Sequence, residues 1–455
     1  MKKLGLLLIV LLAFALVPAA MAYPSSYDSS IQVQNLSDSS PAAIELTFYN
    51  QDGSIDTQVT DTVGAGRSNT YYPIQASSGF NGSVVISSDQ SIAAIVNVVA
   101  DNITFGASYG GFDAGAQTVS LPLIMKNNSG FSTWFNVQNT DTANDTTVTV
   151  NYAGTACTET KTVKAGSAQT FDQATNSCLP TPYVGAATAT AAPGGTIVAT
   201  AVEVGDTTLF AYNGFASGGA NNPVIPLVNA NNSGYITGIQ IQNVGASTSS
   251  VTISYTPAGA GNGTACTETK SVPAGQSRTF ALYAFTYGGD PQPGTDNCAQ
   301  GVRFVGSAQV TGNTATMPLV GIVNQLNTGA SKGSSYNSFD PNTATSKIVM
   351  PLIMDRNSGF YTGINVMNVG SVNTSVTCNY ISTDGTFSKS YTSSTLAPGA
   401  AFNQIHATYD FPLKDRFVGS GTCTANAANG EIVAQVNELG STAGDTLFTY
   451  EAFNN

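Results

Sequence analysis

Charge is scarce in this 455-residue chain: only 9% of its residues are Asp, Glu, Lys or Arg. Solubility must therefore rest on Ser, Thr, Asn, Gln and Gly, a surface usual for secreted β-proteins, while 42% hydrophobic content and regular aromatics argue for a folded chain. The net charge of −12 becomes −14 if Lys2 and Lys3 are removed, which excludes a basic footprint for nucleic acid or anionic lipid. Histidine occurs once, at His406, so a metal site with two imidazoles is excluded. A Ser-His-Asp or Cys-His device is confined to the surroundings of that one residue, and no Gly-x-Ser-x-Gly accompanies it. His406 is expected to be a solvated loop residue. Long apolar runs are also scarce. The run Leu4–Val17 follows Lys2 and Lys3 and precedes small residues ending at Ala22, the pattern of a secretory signal peptide, too short for a membrane span. An exported chain beginning at Tyr23, with no membrane insertion, is expected.

What the chain has in abundance is repetition. "LPLIMKNNSGFSTWFNVQN" (Leu121 to Asn139) returns as "IPLVNANNSGYITGIQIQN" (Ile225 to Asn243) and "MPLIMDRNSGFYTGINVMN" (Met350 to Asn368). Repetition of this length marks a structural unit that solves the same burial problem each time. Within each copy, apolar residues alternate with Asn or Gln (Phe135, Val137; Ile239, Ile241; Ile364, Val366), the period of a half-buried strand. "SIQVQN" at Ser30 to Asn35 has the same alternation and reveals a fourth, N-terminal unit. Each unit then runs through a second alternating strand, a Gly turn, a strand opening with "FNGS", "YVGA" or "FVGS", a Val-rich stretch and a closing Tyr-x-x-Phe. Short strands with turn signals every eight to twelve residues predict all-β sandwiches of roughly a hundred residues. The expected organisation is a signal peptide at 1–22 and β-sandwich modules at 23–114, 115–219, 220–341 and 342–455.

This organisation resembles bacterial cell-surface and adhesin proteins built from strings of immunoglobulin-like domains. The resemblance covers the architecture of the mature chain and implies immunoglobulin-like sandwiches in tandem; it carries no functional residues.

Six cysteines in an exported chain read as disulfides, and the modules choose among the fifteen pairings. Two fall in each of the last three modules, which pairs Cys157 with Cys178, Cys266 with Cys298 and Cys378 with Cys423. In the first two pairs Cys157 and Cys266 lie in matching segments beyond the second strand, and Cys178 and Cys298 just before "YVGA" and "FVGS", so these bridges should staple surface loops. The third takes inward positions and should cross the core between strands.

Candidates for chemistry are few. Glu203 and Glu438 occupy similar late-strand positions but read as outward residues, and no carboxylate pair suits a glycosidase. No cofactor is expected; calcium, the nearest candidate, would use Asp52 with Asp56, or Asp206 and Asp445, residues that turns explain equally well. Trp134, the only tryptophan, stands where the other modules have Ser30, Gly238 and Gly363, and is the candidate glycan contact. Pro122, Pro226 and Pro351 mark a repeated inter-module strand, each nine residues before Phe131, Tyr235 and Phe360. The corresponding place before Tyr27 is Pro18, inside the expected signal peptide, so one end of the array should expose an unpaired edge. Strand addition at that edge, by another copy or a neighbouring surface protein, makes the chain a candidate filament, sheath or surface-layer subunit. A glycan-binding array is the second expectation, and a secreted hydrolase the third.

Overall fold

In the computed structural model the described residues are 24, 26–101, 104–216, 218–281, 294–299, 301–313 and 317–455. The expected signal peptide, Pro18 included, lies outside them. Apart from a single 3₁₀ turn at Pro341–Thr343, the regular elements are all β-strands, and every pairing is antiparallel. Among the described residues, no helix is long and apolar enough to cross a membrane.

The strands form eight separate sheets, two from each of four consecutive stretches of chain. In the first stretch one sheet has the order Ser68–Tyr71, Tyr27–Asn35, Ile92–Ala100, Phe105–Gly110, and the other Ile55–Val63, Ala42–Asn50, Gly82–Ser88. Side-chain alternation drives this layering. Ile31 and Val33 of the first sheet and Ile44, Leu46 and Phe48 of the second are at most 3% exposed and meet in one apolar layer. The same layering recurs around Phe135 and Val150, around Ile239 and Ile253, and around Ile364 and Tyr380.

The closing Asn of the repeated phrase has a defined task at the end of its strand. Asn35 Nδ2 donates to the carbonyls of Ser40 and Val63 at 2.8 and 3.0 Å, and Asn243 Nδ2 to those of Ser247 and Val272 at 2.7 and 2.9 Å. Asn139 and Asn368 do the same for their own loops. Each thereby satisfies buried carbonyls where the strand gives way to a turn.

The proline-bearing strands are Thr118–Lys126, Val224–Ala230 and Lys347–Asp355. Each pairs with a strand of the stretch that follows it in sequence: Tyr183–Ala191, Phe304–Thr311 and Phe417–Ala425 respectively. Its outer face packs on the next stretch, so each is a wedge between neighbours. The first wedge lies against Ile236–Asn243 and Leu319–Asn327, the second against Phe360–Asn368 and Ile432–Gly440, and the third against Tyr27–Asn35 and Ile92–Ala100.

That last contact brings the fourth stretch back onto the first, so the array closes on itself. Four short strands, Phe105–Gly110, Leu209–Asn213, Lys332–Asn337 and Leu447–Glu451, pack together along a common axis. Asn213 Nδ2 donates to the Gly110 carbonyl at 2.9 Å, Asn337 Nδ2 to the Asn213 carbonyl at 2.7 Å, and the Asn337 amide to Glu451. Asp445 ties all four stretches: its carboxylate accepts from the amides of Leu209 (2.7 Å) and Gly333 (2.8 Å), and its own amide donates to the Thr104 carbonyl at 2.8 Å.

Candidate functional site

Three of the four neighbour contacts contain a wedge; the contact between the first and second stretches has none among the described residues. The sheet Ile55–Val63, Ala42–Asn50, Gly82–Ser88 ends at Gly82–Ser88, whereas the equivalent strand in every other stretch carries a wedge on its far side. A cavity of about 1980 Å³ lies at that place. Val84 and Ile86 on the edge strand, Tyr109 and Phe112 on the closing segment, and Trp134 and Asn136 on the second stretch line it.

The walls of this cavity keep the fittings that hold a wedge elsewhere. Tyr212, Tyr336 and Tyr450 each donate their hydroxyl to the carbonyl of the Leu after the wedge proline, Leu123, Leu227 and Leu352. The amides of those three residues in turn donate to the hydroxyls, at 3.3–3.4 Å. Tyr109 is the same residue of the first stretch; it is half-buried, and its hydroxyl has no hydrogen bond among the described residues. Burial holds its phenol up at about 12. Three residues further on, Phe215 and Phe339 exchange backbone hydrogen bonds with Ser120 and Val224 on the wedge, and Phe453 pairs with Val349. Phe112 makes no such pair among the described residues. Gly82 holds the bulge position of Gly306 and Gly419: a Cβ there would lie 1.9 Å from the Tyr49 carbonyl oxygen, as at 2.1 Å from Thr256 and 2.0 Å from Ile381.

Trp134 occupies part of this space. It is half-buried, packs against the core of the first stretch, and meets Tyr27 edge to face with ring centroids 5.9 Å apart. Its indole is a wall between two stretches, with Tyr27 as the neighbouring ring.

The other residues singled out in the sequence are dispersed. The three cystines are Cys157–Cys178, Cys266–Cys298 and Cys378–Cys423, each within one stretch. Cys378 and Cys423 are fully buried and directly opposite on neighbouring strands of one sheet, so that bridge lies within a sheet and faces the core. His406 is not a solvated loop residue. It is fully buried against Tyr380, with ring centroids 4.5 Å apart, and its Nε2 lies 3.3 Å from Gln404 Oε1. Burial lowers its pKa to about 3. Hydrophobic surroundings replace the expected water because Phe411 folds over the ring.

Glu203 and Glu438 do not face solvent either: both are 1% exposed. The outward face of their strands is covered by another stretch, where Asn324 Nδ2 donates to Glu203 at 2.7 Å and Asn97 Nδ2 to Glu438 at 2.9 Å. Burial raises both carboxyls to about 8, partly offset by those amide hydrogen bonds. Among the described residues no three metal-ligating side chains cluster. Asp52 accepts from Ser54 within its turn, Asp56 accepts from the Ser77 amide, and Asp445 serves the axis, where burial pushes its carboxyl well above the usual range.

The sequence reading found the wedge strands, Trp134 and the Tyr-x-x-Phe ending. It missed what Tyr109 and Gly82 do, although both stand in the repeated pattern: the Tyr at a fixed distance before Phe, and the Gly of "NGS", "VGA" and "VGS". The three cystines fit an extracellular protein. No family model matches this chain, and no curated protein is significantly similar to it.

Proposed function

We propose that this protein is a non-catalytic structural component of the cell exterior, exported by its N-terminal leader. In this reading it is a filament, sheath or surface-layer subunit built of four immunoglobulin-like sandwiches. It joins its neighbours by strand addition at the incomplete edge of the first sandwich. One observation carries the reading: the first stretch keeps the hydroxyl, the bulge glycine and the closing phenylalanine that seat a wedge elsewhere, and has no wedge among the described residues. An unfilled sheet edge beside an apolar cleft is the feature that strand-adding assemblies use. Closure around a common axis supports the same reading, because it presents that edge on a compact body held by apolar packing and three cystines.

Immunogold labelling of intact cells, with electron microscopy of the labelled cell surface, tests it. Labelling at the surface and regular assemblies are expected. A protein confined to the cytoplasm, or turnover of a polysaccharide or peptide by the pure chain, would overturn the proposal.

A further inference from the structure

Resting on that reading, we infer that the groove between the first and second stretches seats an extended, uncharged strand of the type aliphatic-Pro-Leu-aliphatic, supplied by a different polypeptide. The three filled places define the chemistry. Val119–Met125, Val224–Ala230 and Ile348–Met354 carry no charge, and their aliphatic residues are at most 7% exposed, because one face meets a core and the other a neighbouring stretch. A strand covered on both faces is apolar throughout.

The proline belongs to the same logic. The register against the partner strand shifts between Leu121 and Ile124, between Ile225 and Val228, and between Met350 and Ile353. Pro122, Pro226 and Pro351 fall inside those shifts, where a missing N–H leaves no ladder bond unmade. The next residue is turned towards the tyrosine hydroxyl. Gly82 and Tyr109 reproduce both requirements in the open groove, so a strand bearing Pro-Leu at the bulge is held in one register.

The source follows from the chain's own arrangement. Its three strands of this type are already paired within their own sheets. One hydrogen bond of the reversal that carries each wedge back onto its own stretch has no donor at the matching place before Tyr27. In the other three stretches the reversal places Ser129, Ser233 and Ser358 at φ 51° and Gly130, Gly234 and Gly359 at φ 84–86°. The amides of Asn128, Asn232 and Asn357 close it by donating to the carbonyls of Phe131, Tyr235 and Phe360. At the position matching those asparagines stands Pro24, which has no amide hydrogen to close the reversal. Ser26 extends the pairing of the first strand, its carbonyl accepting from the Asp101 amide at 3.1 Å.

Fluorescence anisotropy tests this with a labelled peptide of the sequence Thr118–Lys126, titrated with the full chain and with the chain starting at Tyr23. Saturable binding to both is expected. It should weaken at least about tenfold when the peptide's Leu123 position is Lys, since a charge would enter an apolar seat. Tyr109→Phe should weaken it about fivefold through the lost hydroxyl bonds without unfolding the chain. Binding that is absent, or indifferent to the lysine, overturns the inference. Binding only to the chain starting at Tyr23 assigns the groove to the leader, and dissolution of self-assembled particles by the peptide assigns it to a second copy; either outcome overturns a distinct donor. Surface assemblies that the peptide neither enters nor dissolves would remove this inference and leave the structural role standing. Peptide binding by a protein absent from the cell surface would do the reverse.

Discussion

The contact between the first and second stretches differs from the other three in two ways. It has no wedge strand among the described residues, and it lacks the buried amide–acid or amide–amide bridges that the others make between late-strand positions. Asn97 meets Glu438 between the first and fourth stretches, Asn324 meets Glu203 between the second and third, and Gln325 Nε2 meets Asn437 at 3.1 Å between the third and fourth. At the remaining contact Val98 and Val202 stand at these positions, and Trp134 fills space from the second stretch. One contact is thus sealed by apolar side chains and peripheral hydrogen bonds such as Gln169 Nε2 to the Gln51 carbonyl at 3.0 Å, whereas three contain a wedge strand and a buried bridge between late-strand positions. Chemistry that acts on the bridges should leave the first contact untouched, and chemistry that acts on the edge should touch little else.

The largest expected effect comes from pH. Burial raises Glu203 and Glu438 from 4.5 to about 8, so the folded chain keeps both protonated through neutrality while the unfolded chain ionises them. Their contribution is fully present below about pH 4.5, declines as pH rises, and is lost above about pH 8. Melting temperature should therefore fall from pH 5 to pH 8. Glu203→Gln with Glu438→Gln should make that profile shallower, since Gln already serves at the equivalent position 325; the remaining slope comes from Asp445 and Glu451, whose carboxyls burial also raises. The difference in hydrogen exchange between the parent and the double variant at pH 8 should lie at the second–third and fourth–first contacts; a difference spread equally over all four would contradict the comparison.

Much of this organisation was legible in the alternating residues. Period two placed the strands, the Cys positions fixed the pairing, and Pro122, Pro226 and Pro351 marked the strand that recurs between neighbouring stretches. Alternation distinguishes two faces of a strand but does not say what lies against each. Glu203 and Glu438 read as solvent-facing because the face opposite the core is usually wet, yet here a neighbouring stretch covers it. Closure around the axis was invisible for a related reason. The axial strands carry small and polar residues such as Gly106, Ser108, Ser334 and Ser335, a composition that also suits an exposed edge, and only three-dimensional contact shows them buried. His406 was misplaced because its burial depends on Tyr380 and Phe411, which flank it in space from separate segments.

The bulge glycines sharpen the contrast between a covered and an uncovered edge. A Cβ at Gly419 would sit 2.0 Å from the Ile381 carbonyl oxygen, on a strand pinned on its other side by Lys347–Asp355. Gly419→Ala should cost about 3 kcal/mol. Gly82→Ala makes a similar clash on a strand with no wedge beside it, which can shift outward, and should cost less than half as much. Denaturant unfolding of the two variants measures the difference, and equal losses would mean that the first edge is as rigid as the fourth. Trp134→Gly, which installs the residue found at positions 238 and 363, should cost about 2 kcal/mol, because the side chain is half-buried at the contact with no wedge to compensate.

The smallest effect is the most discriminating. Tyr212 and Tyr109 are the same residue in successive stretches, one bonded through its hydroxyl to both backbone groups of Leu123 and the other to none among the described residues. Removing the Tyr212 hydroxyl leaves a buried amide and carbonyl without that partner, so Tyr212→Phe should cost about 1 kcal/mol. Tyr109→Phe removes a hydroxyl with no partner among the described residues and should leave the stability of the isolated chain unchanged within about 0.3 kcal/mol. If Tyr109→Phe destabilises the isolated chain as much as Tyr212→Phe, its hydroxyl is already engaged by the chain itself, and the first groove is filled from within.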